Sequence, residues 1–211
     1  NAGERSIDFR YWTTNLKGQP ETIWPEIGFG LGVTSRWYTE LFVSYIGEQI
    51  QSTYPSTWNW QNDYLLTQGQ YPFDLAIHTN LFFNQGGVPG YALEFGPTLQ
   101  TEIRRTQFNA NLIFERGFDT VPARPTQLKY QWQVKHRFST AFELGVQGFG
   151  ELGAWDNWAP AARQSHRAGP VISGTWQLSG KQAIKYQLAW LTGSVYATQG
   201  SMLSTRIQFV F

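Results

Sequence analysis

Charged side chains in this chain recur an even number of residues apart within single segments: Lys129, Lys135 and Arg137 in one, Glu94 and Glu102 in another. If those segments are extended, each set lies on one face of a strand. Sorted this way, Glu26, Glu40, Asp63, Asp74, Glu94, Glu102 and Glu115 form an acidic set, and Arg10, Lys129, Lys135, Arg137, Arg167, Lys185 and Arg206 a basic one. Asp8, Glu143 and Glu151 fall on the same faces. Groups of this kind, lining an enclosed space, sort charged and dipolar solutes. They do not by themselves make or break bonds.

Support for bond-making chemistry is thin. Ser165 and His166 are adjacent, a spacing that rarely yields a nucleophile and its base. Residues 148–153, GFGELG, fit G-x-G-x-x-G, but no strand–helix–strand unit surrounds them. The chain has no cysteine, hence no disulfide framework and no thiolate, and His78, His136 and His166 are too scattered for a recognisable zinc motif. No metal, no cofactor and no catalytic residue are expected. A net charge of +1 gives no bulk attraction to nucleic acid.

The elements that must position these groups are strands. Period-two alternation runs through nearly the whole chain and no helical stripe is evident. About twelve strands are expected, near residues 5–14, 21–34, 37–49, 57–67, 73–84, 91–103, 106–119, 127–138, 141–153, 166–178, 182–193 and 201–211. Their connections alternate in length. Short turns fall at 35–36, 68–72, 104–105, 139–140 and 179–181, and longer loops at 15–20, 49–56, 84–90, 120–126, 154–165 and 192–200. No apolar run reaches the roughly 18–20 residues of a membrane helix. Strands can still cross a bilayer, because their lipid-facing residues are diluted one-to-one by lumen residues.

One face of these strands is consistently apolar: Ile27, Phe29, Leu31 and Val33, then Phe108, Ala110, Leu112 and Phe114, then Ile184, Tyr186, Leu188 and Trp190. Trp12, Trp37, Tyr38, Trp58, Trp60, Tyr91 and Trp190 gather toward strand ends, as interfacial aromatics do. Strands this long exceed the 5–6 residues usual in soluble sheets. Hairpin geometry sets Arg137 opposite Glu143, Lys129 opposite Glu151 and Glu94 opposite Glu115, and places Phe42 opposite Gly30. The glutamate pair juxtaposes like charges, so a cation, a shared proton or a basic side chain from the far wall is expected there. The glycines at 28, 30 and 32 either relieve bending or leave room for a solute.

The chain ends STRIQFVF, with Ile207, Phe209 and Phe211 on one face. A C-terminal Phe preceded by apolar residues at alternate positions resembles the terminal signature of Gram-negative outer-membrane β-barrel proteins. That resemblance implies recognition of Ile207, Phe209 and Phe211 by the barrel-assembly machinery and residence in the bacterial outer membrane. In size and architecture the chain is similar to small twelve-stranded monomeric channels, such as the oligogalacturonate and sialic-acid porins, with no motif tying it to one family. No signal peptide is visible, and a start at Asn1 suits a processed chain.

The expectation is therefore an all-β chain, residues 1–211 forming a single antiparallel up-and-down transmembrane barrel with short periplasmic turns and longer extracellular loops. Its partners would be outer-membrane lipid, the assembly machinery and small polar solutes, with no nucleic acid. Its function would be a narrow channel for small polar or charged solutes, an acidic wall facing a basic one across the lumen. The rivals are a non-conducting barrel serving as anchor or membrane part of an export assembly, an outer-membrane lipid-modifying enzyme, and a soluble carbohydrate-binding sandwich.

Overall fold

The structure, a computed structural model, describes residues 2–84, 90–119 and 125–211. The strands are β1 (Arg5–Leu16), β2 (Thr22–Gly32), β3 (Trp37–Ile46), β4 (Tyr54–Leu65), β5 (Phe73–Asn84), β6 (Tyr91–Ile103), β7 (Thr106–Phe118), β8 (Gln127–Ser139), β9 (Phe142–Ala154), β10 (Asn157–Trp158), β11 (Ser165–Gln177), β12 (Ala183–Val195) and β13 (Thr198–Val210). The two-residue β10 pairs only with β9. The other twelve pair antiparallel in a closed ring in which β8 meets β9 and β13 meets β1. This is a closed barrel and not a sandwich, and among the described residues each of the twelve wall strands has a neighbour on both sides.

Strand length follows from what the wall must span. A 13-residue strand at about 3.4 Å per residue, tilted by about 40° as barrel closure requires, rises about 30–35 Å along the axis. The outward positions are apolar and open: Ile27 is 53% exposed, Leu41 59% and Ile207 47%. Such a face suits hydrocarbon and not water. Among the described residues no helix is long and apolar enough to cross a membrane.

Both chain ends lie on one rim, where Arg5 donates to the Phe211 carbonyl (3.0 Å) and Phe211 to the Arg5 carbonyl (2.9 Å). The turns at 33–36, 66–72, 104–105, 140–141 and 178–182 share that rim. The opposite rim carries the longer connections, with two differences from expectation. The presumed loop at 192–200 is a two-residue turn: Val195 pairs with Thr198, and Tyr196 and Ala197 take φ of 46° and 76°. The stretch 154–165 is braced by β10 and a short 3-10 turn at Ala161–Arg163. Of the expected loops at 84–90 and 120–126, residues 85–89 and 120–124 lie outside the described residues.

The expected hairpin pairings Glu94–Glu115, Lys129–Glu151 and Arg137–Glu143 are the ones observed. Phe42 differs. It stands opposite Gly28, and Glu40 stands opposite Gly30, because the β2–β3 turn returns one residue earlier on each side, closing Val33 onto Trp37. The shift is two residues in sum, so every side chain keeps its face.

Candidate functional site

Contacts between non-adjacent strands can form only across the interior, and they identify its lining. Arg10 of β1 reaches Gln61 of β4 (3.4 Å), Arg206 of β13 reaches Glu40 of β3 (3.9 Å), and Gln133 of β8 reaches Gln187 of β12 (3.1 Å). Alternation then sets the inward positions of every strand.

The interior is unevenly filled. On the β13–β4 side, Asp8 is wholly buried and holds Arg206 through Oδ2 (2.5 Å to Nη2) and Arg10 (3.3 Å). Arg10 also reaches Glu40 (3.4 Å), and its guanidinium lies 4.0 Å from the centroid of the buried Phe42 ring. Tyr38 donates to Glu40 (2.9 Å) and shares a 2.7 Å bond with Ser6, while Gln208 donates to Ser6, Tyr38 and Glu40 at 3.2–3.4 Å. Ser44 donates to Glu26 (2.7 Å) and accepts from Asn59 (3.0 Å). The space over the strand-two glycines is occupied: a Cβ on Gly28 would lie 2.4 Å from the Phe42 ring, and one on Gly30 would lie 2.1 Å from the Tyr38 hydroxyl. Buried charges demand such closure, because desolvation of an unpaired ion is costly.

The β6–β9 side is different. Down β8 the inward residues read Lys129, Gln131, Gln133, Lys135 and Arg137, a waist of amides between charged ends. At the outer end Lys129 bridges Glu94 (2.9 Å) and Glu115. At the end nearer the termini Lys135 holds Glu143 (2.9 Å), which also accepts from Ser173 (2.8 Å), and Arg137 holds Glu102. Between them runs a chain of carboxamides. Gln107 donates to Gln100 (2.7 Å) and Asn109 (3.2 Å), Asn109 to Gln133 (3.2 Å), Gln133 to Gln147 (2.7 Å) and Gln187, and Asn111 to Gln131 (3.2 Å). Gln100 and Gln131 are inward yet exposed, so open space adjoins this wall.

A third patch is apolar. Val171, Ala189, Leu191 and Met202 pack as a buried cluster with Trp12 and Phe149 against it. Arg167 lies over Phe149, 4.5 Å from the ring centroid, and within 4.0 Å of Glu151. Glu151 also accepts from the Tyr196 hydroxyl in the β12–β13 turn, whose pKa is pushed up to about 12, by burial first and by that carboxylate second. This phenol stays protonated and a donor at neutral pH.

The acidic set lies on β2–β7 and the basic set on β8, β11–β13 and β1, and ion pairs join Glu40, Glu94, Glu102 and Glu115 to Arg10, Arg206, Lys129 and Arg137. The partner of Glu94 and Glu115 is neither a free cation nor a far-wall residue but Lys129, one strand over. Lys129 consequently does not pair with Glu151, its backbone neighbour, and Arg137 reaches Glu102 and not Glu143. Asp63 meets His78 (2.7 Å). Among the described residues no ion pair forms on Asp74 or Lys185. Ile207 and Phe211 face outward and Phe209 stacks near Phe211, with ring centroids 5.5 Å apart. Trp12 and Tyr38, expected in the outer aromatic bands, point inward instead.

Ser165 and His166 are in β11, not in a loop, and adjacent strand positions face opposite ways. Ser165 is fully buried and accepts from the Tyr196 backbone N–H (3.3 Å), while His166 pairs with Tyr130 (2.7 Å) and Gln164 (2.8 Å). The glycines of GFGELG are structural. A Cβ on Gly148 or Gly150 would lie 2.8 or 2.7 Å from the rings of Trp132 and Tyr130, which the bare backbone accommodates. The amide chain and the inner apolar cluster were not singled out from the sequence, although the alternate Gln and Asn of β7 and β8 carry the signal.

A closed antiparallel barrel with an apolar outer face and a largely polar interior, here of twelve strands, is the architecture of outer-membrane β-barrels. No family model matches the sequence, and no curated protein matches it. Solved structures do match. An outer-membrane channel from Pseudomonas putida F1 superposes with a TM-score of 0.69 at 9% identity, over 100% of this chain and 96% of that one. The NanC porin gives 0.64 at 11% identity, over 97% and 98% of the two chains. The KdgM porin gives 0.62 at 11%, over 98% and 99%. At these identities the likeness establishes the fold.

Proposed function

We propose that this chain is a narrow channel of the bacterial outer membrane through which small polar or charged solutes diffuse, and that it is not an enzyme. The observation that carries this reading is the open, amide-lined side of an otherwise filled interior, enclosed by an apolar outer face. The architecture shared along the full length of the Pseudomonas putida channel and the NanC and KdgM porins supports it. So does the divergence of Ser165 and His166, which leaves that serine without its neighbour as a base. The termini rim faces the periplasm in this reading.

Single-channel recording in a planar bilayer tests it. Stable ohmic steps in potassium chloride are expected, and a barrel that inserts without conducting would overturn the channel. The second reading, a non-conducting barrel that anchors or forms part of an export assembly, draws on the ion-paired β13–β4 side, and the same recording separates the two. As partners we propose outer-membrane lipid and the assembly machinery acting on Ile207, Phe209 and Phe211. Deleting Phe211 should cut outer-membrane yield well beyond what loss of one side chain worth about 1.5–3 kcal/mol explains. Unchanged yield would sink that assignment.

A further inference from the structure

The amide waist has a chemistry that the charged ends lack. A carboxamide offers two N–H donors and a carbonyl with two lone pairs, all without net charge. Asn111 and Gln131 spend one bond on each other, which leaves the Gln131 amide N–H groups and the Asn111 carbonyl uncommitted toward the open space. Gln147 accepts from both Gln133 and Gln187 and gives neither of its own N–H groups to them. Spare donors and acceptors therefore alternate along β7, β8 and β9, with ion pairs closed off above and below them. A hydroxyl is likewise both donor and acceptor and matches such a surface group for group. A carboxylate solute matches only the donors of the waist: Lys129 and Lys135, which border it on β8, are held by Glu94, Glu115 and Glu143, and among the described residues Lys185 of β12 is the inward lysine left without an ion pair. Such a solute also surrenders hydration that the neutral wall does not replace.

We infer that the β7–β9 amide waist is a hydrogen-bonding track for neutral polyhydroxylated solutes, and that the channel passes them in preference to acidic sugars of the same size. This rests on the channel reading above, and the test keeps the two apart. Purified barrel in liposomes is assayed by swelling in glucose against gluconate, with an ionophore supplying counter-ion flow, and in parallel for potassium chloride conductance. Glucose should enter several-fold faster than gluconate. The double variant Asn111→Leu with Gln131→Leu should slow glucose by about two- to tenfold, the worth of one or two hydrogen bonds. Glucose entry is read relative to the variant's own salt conductance, and any conductance shows that it folds and inserts. If that variant does not insert, Gln131→Ala, which only shortens an exposed side chain, should slow glucose by about twofold. Gluconate entering as fast as glucose, or variants that slow both solutes alike, would overturn the track while leaving the channel. Absence of conductance in the unaltered protein would overturn both.

Discussion

Asp8, Glu40 and Gln208 on one side of the barrel are 0%, 4% and 7% exposed, whereas Gln100 and Gln131, at equally inward positions on the other side, stand open to water. The backbone is the same on both sides, so the difference lies in how polar groups are satisfied. Where side chains exclude water, the central charges are answered by others, Asp8 by two arginines and Arg10 by two carboxylates and an aromatic face, and Glu26 takes a hydroxyl from Ser44. Where water remains, neutral amides suffice, and they bond to one another only in part. The filled side gives the wall rigidity and narrows the lumen. The open side is left to meet a solute.

Substitutions on the two sides should separate accordingly. Asp8→Asn removes the anion that holds Arg10 and Arg206 on the filled side and should lower stability by about 3–5 kcal/mol in urea unfolding from detergent. A loss under 1 kcal/mol would mean that the pairs are not closed to water. Gly28→Ala sets a methyl group against the Phe42 ring and should cost about 1–3 kcal/mol by the same measurement. Tolerance of alanine there would show that the ring has room to move. Glu94→Gln with Glu115→Gln strips Lys129 of both partners at the outer end of the open side. The site is only partly open to water, the Lys129 side chain being 27% exposed, so about 1–2 kcal/mol is expected, while the reversal potential in a salt gradient should move toward anions. Stability and selectivity both unchanged would place these residues outside the conduction path. Gln131→Ala should stay within about 0.5 kcal/mol of the parent. A large loss would contradict the contrast between the sides.

Legibility in the sequence followed the same division between backbone and side chain. Alternation fixes faces and turn length fixes register, so the outward set from Ile27 to Ile207 and the backbone pairings Glu94–Glu115, Lys129–Glu151 and Arg137–Glu143 are legible in the sequence. Alternation does not say which inward neighbour a long side chain selects. Lys129 has Glu151 beside it on β9, yet turns to the β6–β7 carboxylates, where two like charges make a cation more favourable. Trp12 and Tyr38 depart from the expected outer bands because an amphipathic ring at a strand end suits the lumen as well as the interface. Turn geometry was the other gap. Tyr196 and Ala197 adopt left-handed φ values without the Gly, Asn or Asp that usually marks such a turn.

The β1–β13 seam joins residues at opposite ends of the chain: Arg206 donates to Asp8 across 198 positions, and Gln208 to Ser6 across 202. Every other hairpin in the wall is local in sequence, so contact order is concentrated in this one junction. Loop-closure entropy must be met there before the seam returns any favourable energy. The ring can therefore seal only after the last strand has emerged, and sealing should be the slow, concerted step of folding. The termini that meet at this seam also make the chain a natural subject for circular permutation. Joining residues 1 and 211 through a short linker and opening the chain at the two-residue 104–105 turn would make the β1–β13 seam a local hairpin and hand the long-range junction to β6 and β7, so the sealing step should move to that pair without altering the finished wall.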